Sequence, residues 1–390
     1  MTVGQHRRSG TPREVAAYFL RLGFIAFGGP AAHTALMRRE LVQQRRWLTD
    51  AEFVDLLGVA SLIPGPNSTE MTMYIGSRRA GWRGLLLGGI CFIGPAVAIV
   101  LALAWAYVRY GDTPAGEGLI LGIQPVILAV VVQAIWGLRR AAVKGPLTLG
   151  VALSVVILAF AGFNEILLIF GAGFLMVAAR LASAGHGRRW LAAIVPGGFA
   201  GGAGLPWASL AEAPTRYSVG GLFLVFLKIG AVLYGSGYVL VAFMNADLVE
   251  SRHWLTERQL LDAIAIGQFT PGPLFSSATF AGYVIDGLPG AAVATIGIFL
   301  PSFLFVGVTH PFVSRLRQNA IAAPFLDGAN AAALALMAVV SVTLAQDALD
   351  SAFRAVLFAL AAVVLVRYSP NSALLVVAGA AAGLGHQWLL

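Results

Sequence analysis

Cysteine is almost absent from these 390 residues: Cys91 stands alone. One thiol builds neither a disulfide framework nor a thiolate metal site. No cluster of histidine, cysteine and aspartate has metal-ligand spacing, so no metal is expected. Charge is scarce too, with Asp, Glu, Lys and Arg making up only 11% of the chain. A Walker A loop is missing, which excludes ATP as the drive from this chain, and so is a GxSxG nucleophile elbow. The expectation is therefore a protein that is not an enzyme and carries no cofactor. The first fourteen residues are polar and no cleavable leader pattern follows, because Arg21 interrupts the first apolar run.

What the sequence has instead is apolar length. The hydrophobic fraction is 58% and the mean hydropathy +0.81. Runs such as "GLLLGGICFIGPAVAIVLALAWAYV" are continuous where a β-barrel would alternate. They read as bilayer spans of an all-α polytopic membrane protein. The net charge of +8 does not signal nucleic acid, since the cations cluster in short loops between apolar runs.

The chain also repeats itself. Shifted by 207 positions, "FLRLGFIAFGGP" from Phe19 lies over "FLKIGAVLYGSG" from Phe226, and "RRWLTDAEFVDLL" over "RHWLTERQLLDAI". Across 19–72 there are 17 identities in 54 positions. One residue of slip later, Pro95 matches Pro301 and Gln124 matches Asn330. This spacing predicts an N-terminal repeat at 1–184, a Gly/Pro/Ala-rich connector at 185–216 and a C-terminal repeat at 217–390. The expected apolar segments are 14–30, 50–79, 84–109, 117–138, 146–163 and 165–182, then 218–241, 257–286, 289–313, 321–346, 353–367 and 371–388.

In each half one segment is interrupted by Pro-Gly-Pro, "SLIPGPNSTEM" and "QFTPGPLFSSA". The arms on either side are shorter than the about 20 residues a span needs, so each is expected to form a re-entrant helical hairpin. Arg38, Arg39, Arg45 and Arg46 precede the first hairpin, and Arg78, Arg79 and Arg83 follow it. Basic loops belong to the cytoplasmic side. Around the second hairpin Asp247, Glu250, Glu257, Asp262 and Asp286 outnumber the cations. The two repeats are thus expected to be inverted, each with about five transmembrane helices plus one hairpin. Arg7, Arg8 and Arg13 conflict with this: either segment 14–30 does not cross, or these three break the rule.

Inverted repeats with matched helix breaks point to a transporter whose site lies at the repeat interface. A helix restarting after Pro-Gly-Pro turns free N–H groups and its positive dipole end towards the break, a setting that suits an anion. The candidate substrate-binding residues are Pro64, Gly65, Pro66, Asn67, Ser68 and Thr69 in the first half, and Pro271, Gly272 and Pro273 in the second. The matched breaks Phe27, Gly28, Gly29 and Tyr234, Gly235, Ser236 join them. Asn67 with Glu70 has capping-box spacing, so the pair either only caps the helix or acts on the substrate. Glu70 lacks a counterpart, Ser277 standing in its place, and is the candidate proton-coupling group. Arg21 and Lys228 are equivalent membrane-depth cations, which either neutralise a divalent anion or snorkel to the interface. Gln124 and Asn330 either line the path or bond between helices, and His33 is read as structural. Trp47 and Trp254 read as interface anchors, and Thr49 and Thr256 as N-caps.

The segments "FGGPAAH", "RRWLTDAEFVDLLGVASLIPGPNSTEM", "LYGSGYVLVAF", "WLTERQLLDAIAIGQFTPGP" and "SSATFAGY" resemble the chromate ion transporter family in its long two-domain form, over about 14–388. The resemblance implies secondary active efflux of chromate across the bacterial inner membrane, giving chromate resistance, with sulfate as the close analogue. The implied partners are a small inorganic oxyanion and the lipid bilayer; a homodimer is left open and no nucleic acid is involved. Rival readings are transport of sulfate or another oxyanion, a polyprenyl-phosphate flippase, and a membrane enzyme of phosphoester chemistry.

Overall fold

The computed structural model describes residues 10–27, 29–183, 217–234, 237–312, 321–368, 370 and 372–389. The expected connector, together with Gly28, Gly235 and Ser236, lies outside them. Every element among the described residues is helical. The first half comprises α1 (Pro12–Ile25), α2 (Gly29–Met37), a π-helical stretch (Arg38–Gln44), α3 (Asp50–Ala60), α4 (Asn67–Tyr110), α5 (Pro114–Ala142), α6 (Pro146–Phe160) and α7 (Glu165–Ser183). The second comprises α8 (Val219–Val232), α9 (Leu240–Met244), a π-helical stretch (Asn245–Glu250), α10 (Glu257–Phe269), α11 (Ser277–Thr309), α12 (Ala322–Ala348), α13 (Ala352–Tyr368) and α14 (Ser372–Leu389). Among the described residues, six helices are long and apolar enough to cross a membrane: α4, α5, α7, α11 with the short turn before it, α12 and α14.

The repeat extends to backbone detail. Thr49 and Thr256 each close a capping box at the start of α3 and α10, as their sequence positions predict. Arg46 and His253 share a φ of 53°. Where the sequence suggests a boundary between hairpin and span, α4 kinks at Ala80–Gly81 and α11 at Asp286–Gly287. Gly81 and Gly287 take the left-handed conformation there (φ 63° and 57°), which glycine adopts without a Cβ penalty.

The segment 14–30 departs from expectation. α1 rises only about 21 Å over its 14 residues, short of a bilayer core of about 30 Å. The chain then doubles back at its break. Glu40 returns to 3.7 Å from Arg21, and the Trp47 ring to 5.4 Å from Tyr18. Glu14 pairs with Arg79 at 3.1 Å, Arg38 with Asp50 at 2.8 Å and Arg78 with Glu52 at 2.5 Å. The start of α1, the stretch after α2, the start of α3 and the part of α4 before its kink therefore meet in one cluster. Arg13 lies in the first turn of α1, next to Glu14 of this cluster; Arg7 and Arg8 lie outside the described residues. The second half repeats the arrangement, with Tyr217 donating to Asp286 and packing on Trp254, and Lys228 beside Asp247.

The two halves are interleaved. Within each, α1 packs on α4 and α8 on α11. A Cβ on Gly23 would stand 2.7 Å from the Phe92 carbonyl oxygen, and one on Gly230 would collide with that of Ile298. Across halves, α5 packs on α14 and α7 on α12. The α5–α14 seam is lined by Gly118, Gly122, Gly379 and Gly383, whose missing side chains let the two backbones touch. α4 and α11 also pack together, the start of one against the end of the other: Tyr74 reaches Thr309 at 2.5 Å and Glu70 reaches Ser302.

Candidate functional site

Each Pro-Gly-Pro tip docks on the helix break of the opposite half. The Gly65 N–H donates to the Leu233 carbonyl, the C-cap of α8, at 2.9 Å; the Gly272 N–H donates to the Ala26 carbonyl, the C-cap of α1, also at 2.9 Å. Two equal bonds, exchanged between repeats, thus hold 64–66 beside Tyr234 and 271–273 beside Phe27. Gly65 has φ 133° and Gly272 φ 99°, a region that side chains avoid.

The flanking prolines set the helix starts. Of the two roles left open for Asn67, capping is not seen: the N-cap of α4 is Pro66 and no side chain caps it. Its carbonyl takes the amides of Thr69 and Glu70 at 2.7 and 3.3 Å, so the helix opens one residue earlier and Glu70 is released from any capping box. The second tip follows suit, with the Ser276 N–H donating to the Pro273 carbonyl at 3.0 Å. The amides of Asn67 and Ser68, and of Leu274 and Phe275, stay at the helix ends, where no intrahelical partner exists.

Buried hydroxyls crowd both tips. Thr69 and Ser276 are equivalent, 0% and 1% exposed, and neither hydroxyl has a partner. Ser277 Oγ is likewise buried and unpartnered. An unsatisfied buried hydroxyl costs about 1–3 kcal/mol, so such a group is stabilised by any acceptor that enters. Glu70, fully buried, accepts from Ser302 Oγ at 3.3 Å through Oε1, while Oε2 has no partner. At the second tip the corresponding places hold Ser277 and Ala96. The site is thus symmetric in backbone and asymmetric in charge.

The two expected cations are engaged elsewhere. Arg21 is 60% exposed at its side chain and faces Glu40. Lys228 lies 2.5 Å from Asp247, which also receives Arg252 at 2.9 Å. These are equivalent ion pairs, each closing α1 or α8 onto the π-helical stretch of its own half. Phe27 is exposed, Gly29 opens α2, and Tyr234 packs edge-on against Phe170 and Phe325. Gln124 bonds between helices, donating to Asp262 at 3.0 Å, and Tyr107 donates to the same carboxylate at 2.8 Å. Sequence reasoning missed Ser302 and Ser276, and noted Ser277 only as the residue standing in Glu70's place. The alignment of Pro95 with Pro301 carries Ala96 onto Ser302, and the 207-residue shift carries Thr69 onto Ser276, so the signal was there. No group of metal-binding side chains exists among the described residues.

The model of the chromate transporter family matches residues 13–177 and again 220–384. The chain belongs to the chromate transporter family. A chromate transport protein of Cupriavidus metallidurans is 31% identical over 377 residues, covering 95% of this chain and 92% of its own. One from Pseudomonas aeruginosa is 31% identical over 351 residues, covering 85% and 81%. An uncharacterized transporter of Bacillus subtilis is 29% identical over 134 residues, 33% of this chain but 75% of its own, a match the size of a single repeat. No solved structure matches the chain. This member of the family is a multi-pass helical protein of the bacterial inner membrane.

Proposed function

We propose that the protein exports chromate from the cytoplasm by secondary active transport, giving chromate resistance, with the anion held between the two Pro-Gly-Pro tips. The observation that carries this reading is the reciprocal docking of the tips, Gly65 on Leu233 and Gly272 on Ala26. It sets two helix N-termini and the unpartnered Thr69 and Ser276 hydroxyls at equivalent places. A tetrahedral dianion presents acceptors only, and these groups supply donors and positive dipole ends without a resident cation. Binding by dipoles and hydroxyls also permits release, which a pair of unscreened lysines would oppose.

The reading includes inverted repeats. Two features support it: equivalent helices meet start to end, as at Tyr74–Thr309, and the clusters at the hairpin bases differ in charge, Arg-rich in the first half and carrying Asp247 and Asp286 in the second. The tips then reach the site from opposite faces, one accessible from each side in turn. An inside-negative potential of 100 mV favours export of a dianion by roughly 4.6 kcal/mol, at about 2.3 kcal/mol per charge. Glu70, the one carboxyl at either tip, is the group through which proton exchange would add to that drive.

The test is chromate accumulation in everted membrane vesicles, with and without excess sulfate, against vesicles carrying Asn67→Trp. Energy-dependent accumulation that Asn67→Trp abolishes at equal protein supports efflux through the first tip. Accumulation no greater than in empty vesicles contradicts it and directs the search to other oxyanions and to lipid phosphates.

A further inference from the structure

His33 stands on α2, four residues after the break, and is 1% exposed. Its Nε2 lies 2.9 Å from the Ala26 carbonyl oxygen, the same atom that receives the Gly272 N–H at 2.9 Å. A carbonyl only accepts, so Nε2 carries the hydrogen and donates. The oxygen has two lone pairs and takes both donors. The other ring nitrogen, Nδ1, has no partner, and the imidazole edge packs on Phe92 with centroids 5.5 Å apart at 83°. The ring is therefore fixed in one tautomer and one orientation by α1 and α4 together.

The second half has no such device. The position equivalent to His33 is Leu240, and the Leu233 carbonyl receives the Gly65 N–H with no histidine beside it. A fold that needed this bond merely to double back at the break would need it twice. We infer that His33 is a positioning residue for substrate: it pins the Ala26 carbonyl, and through it the Gly272 amide, so that the second tip keeps its place beside the anion. This rests on the proposed site between the tips.

Two readouts separate the inference from that reading. Hydrogen exchange of the purified full-length protein, followed at the peptide containing Gly272, reports the docking bond directly. Chromate uptake by everted vesicles gives KM and Vmax per folded protein. In His33→Leu, which copies the second half, Gly272 should exchange faster and KM should rise about 2- to 10-fold, the worth of one neutral hydrogen bond, with Vmax kept. His33→Gln, whose amide still donates, should restore both. Should the leucine variant fail to fold, His33→Met offers the same loss of a donor. Unchanged exchange at Gly272 in the apolar variant overturns the inference, as does a glutamine variant no better than leucine. Faster exchange with an unchanged KM upholds the bond but overturns the site. Wild-type vesicles without uptake overturn the site as well, and the exchange data still decide whether His33 holds Gly272.

Discussion

Alanine at Gly65 or Gly272 probes the tips directly, and the two sites should respond unequally. Both glycines lie at φ values, 133° and 99°, where a side chain costs about 1–3 kcal/mol. Only undocking of the tip releases that strain, so the ratio of docked to undocked tip should fall roughly 5- to 150-fold. Steric terms then separate the pair. On Gly272 the new methyl would lie 2.9 Å from the Ala96 Cβ; on Gly65 it would collide with Glu70 Oε1 and Ser302 Oγ and drive them apart. Gly65→Ala should therefore lose more transport than Gly272→Ala at equal folded protein. Ala96→Gly, which clears the contact but leaves the φ strain, should rescue Gly272→Ala in part. The assay is chromate uptake by everted vesicles, normalised to protein that elutes as a single species in detergent. Wild-type uptake by both alanine variants would refute the docked geometry, and an Ala96→Gly change without effect on Gly272→Ala would refute the steric share.

Glu70→Gln keeps a hydrogen-bonding group facing Ser302 but removes the titrating proton, so the pH dependence of uptake should flatten; an unchanged profile would remove Glu70 from coupling. Lys228→Ala leaves Asp247 with Arg252 as its partner, and should cost less than the about 3–5 kcal/mol of a fully broken buried pair. Transport should decline in step with melting temperature, and a rise in KM at unchanged melting temperature would return Lys228 to the substrate. Gly122→Val should destabilise the protein by at least the about 1–3 kcal/mol of overpacking, because its Cβ would collide with the Gly379 carbonyl; an unaltered melting temperature would contradict the close α5–α14 seam.

Much of this architecture was legible in one sequence because the chain states it twice. The 207-residue shift located the two Pro-Gly-Pro helix breaks, the threonine caps and the matched prolines. Two things resisted. Whether segment 14–30 crosses was open from the sequence, because its apolar run continues past the break; the returns of Glu40 to Arg21 and of Trp47 to Tyr18 show the turn. The exchange of tips between halves was hidden for another reason: a bond from Gly65 to Leu233 is set by packing, and no periodicity encodes it. The sequence left a capping role for Asn67 open because its side chain suits it, whereas the Pro66 carbonyl already takes the amides of Thr69 and Glu70. Arg21 and Lys228 drew attention as equivalent membrane-depth cations, and their partners Glu40 and Asp247, themselves equivalent, stand 19 residues further on.

The central claim is that equivalent hairpins enter from opposite faces, and labelling from each side tests it most directly. Gln44 and Ser251 are equivalent, exposed positions just before the two hairpins. With Cys91→Ser removing the only native thiol, Gln44→Cys and Ser251→Cys are each treated with a membrane-impermeant maleimide in right-side-out and in everted vesicles. The account predicts that Gln44→Cys reacts only in everted vesicles and Ser251→Cys only in right-side-out ones. Reaction of both from the same side would contradict it.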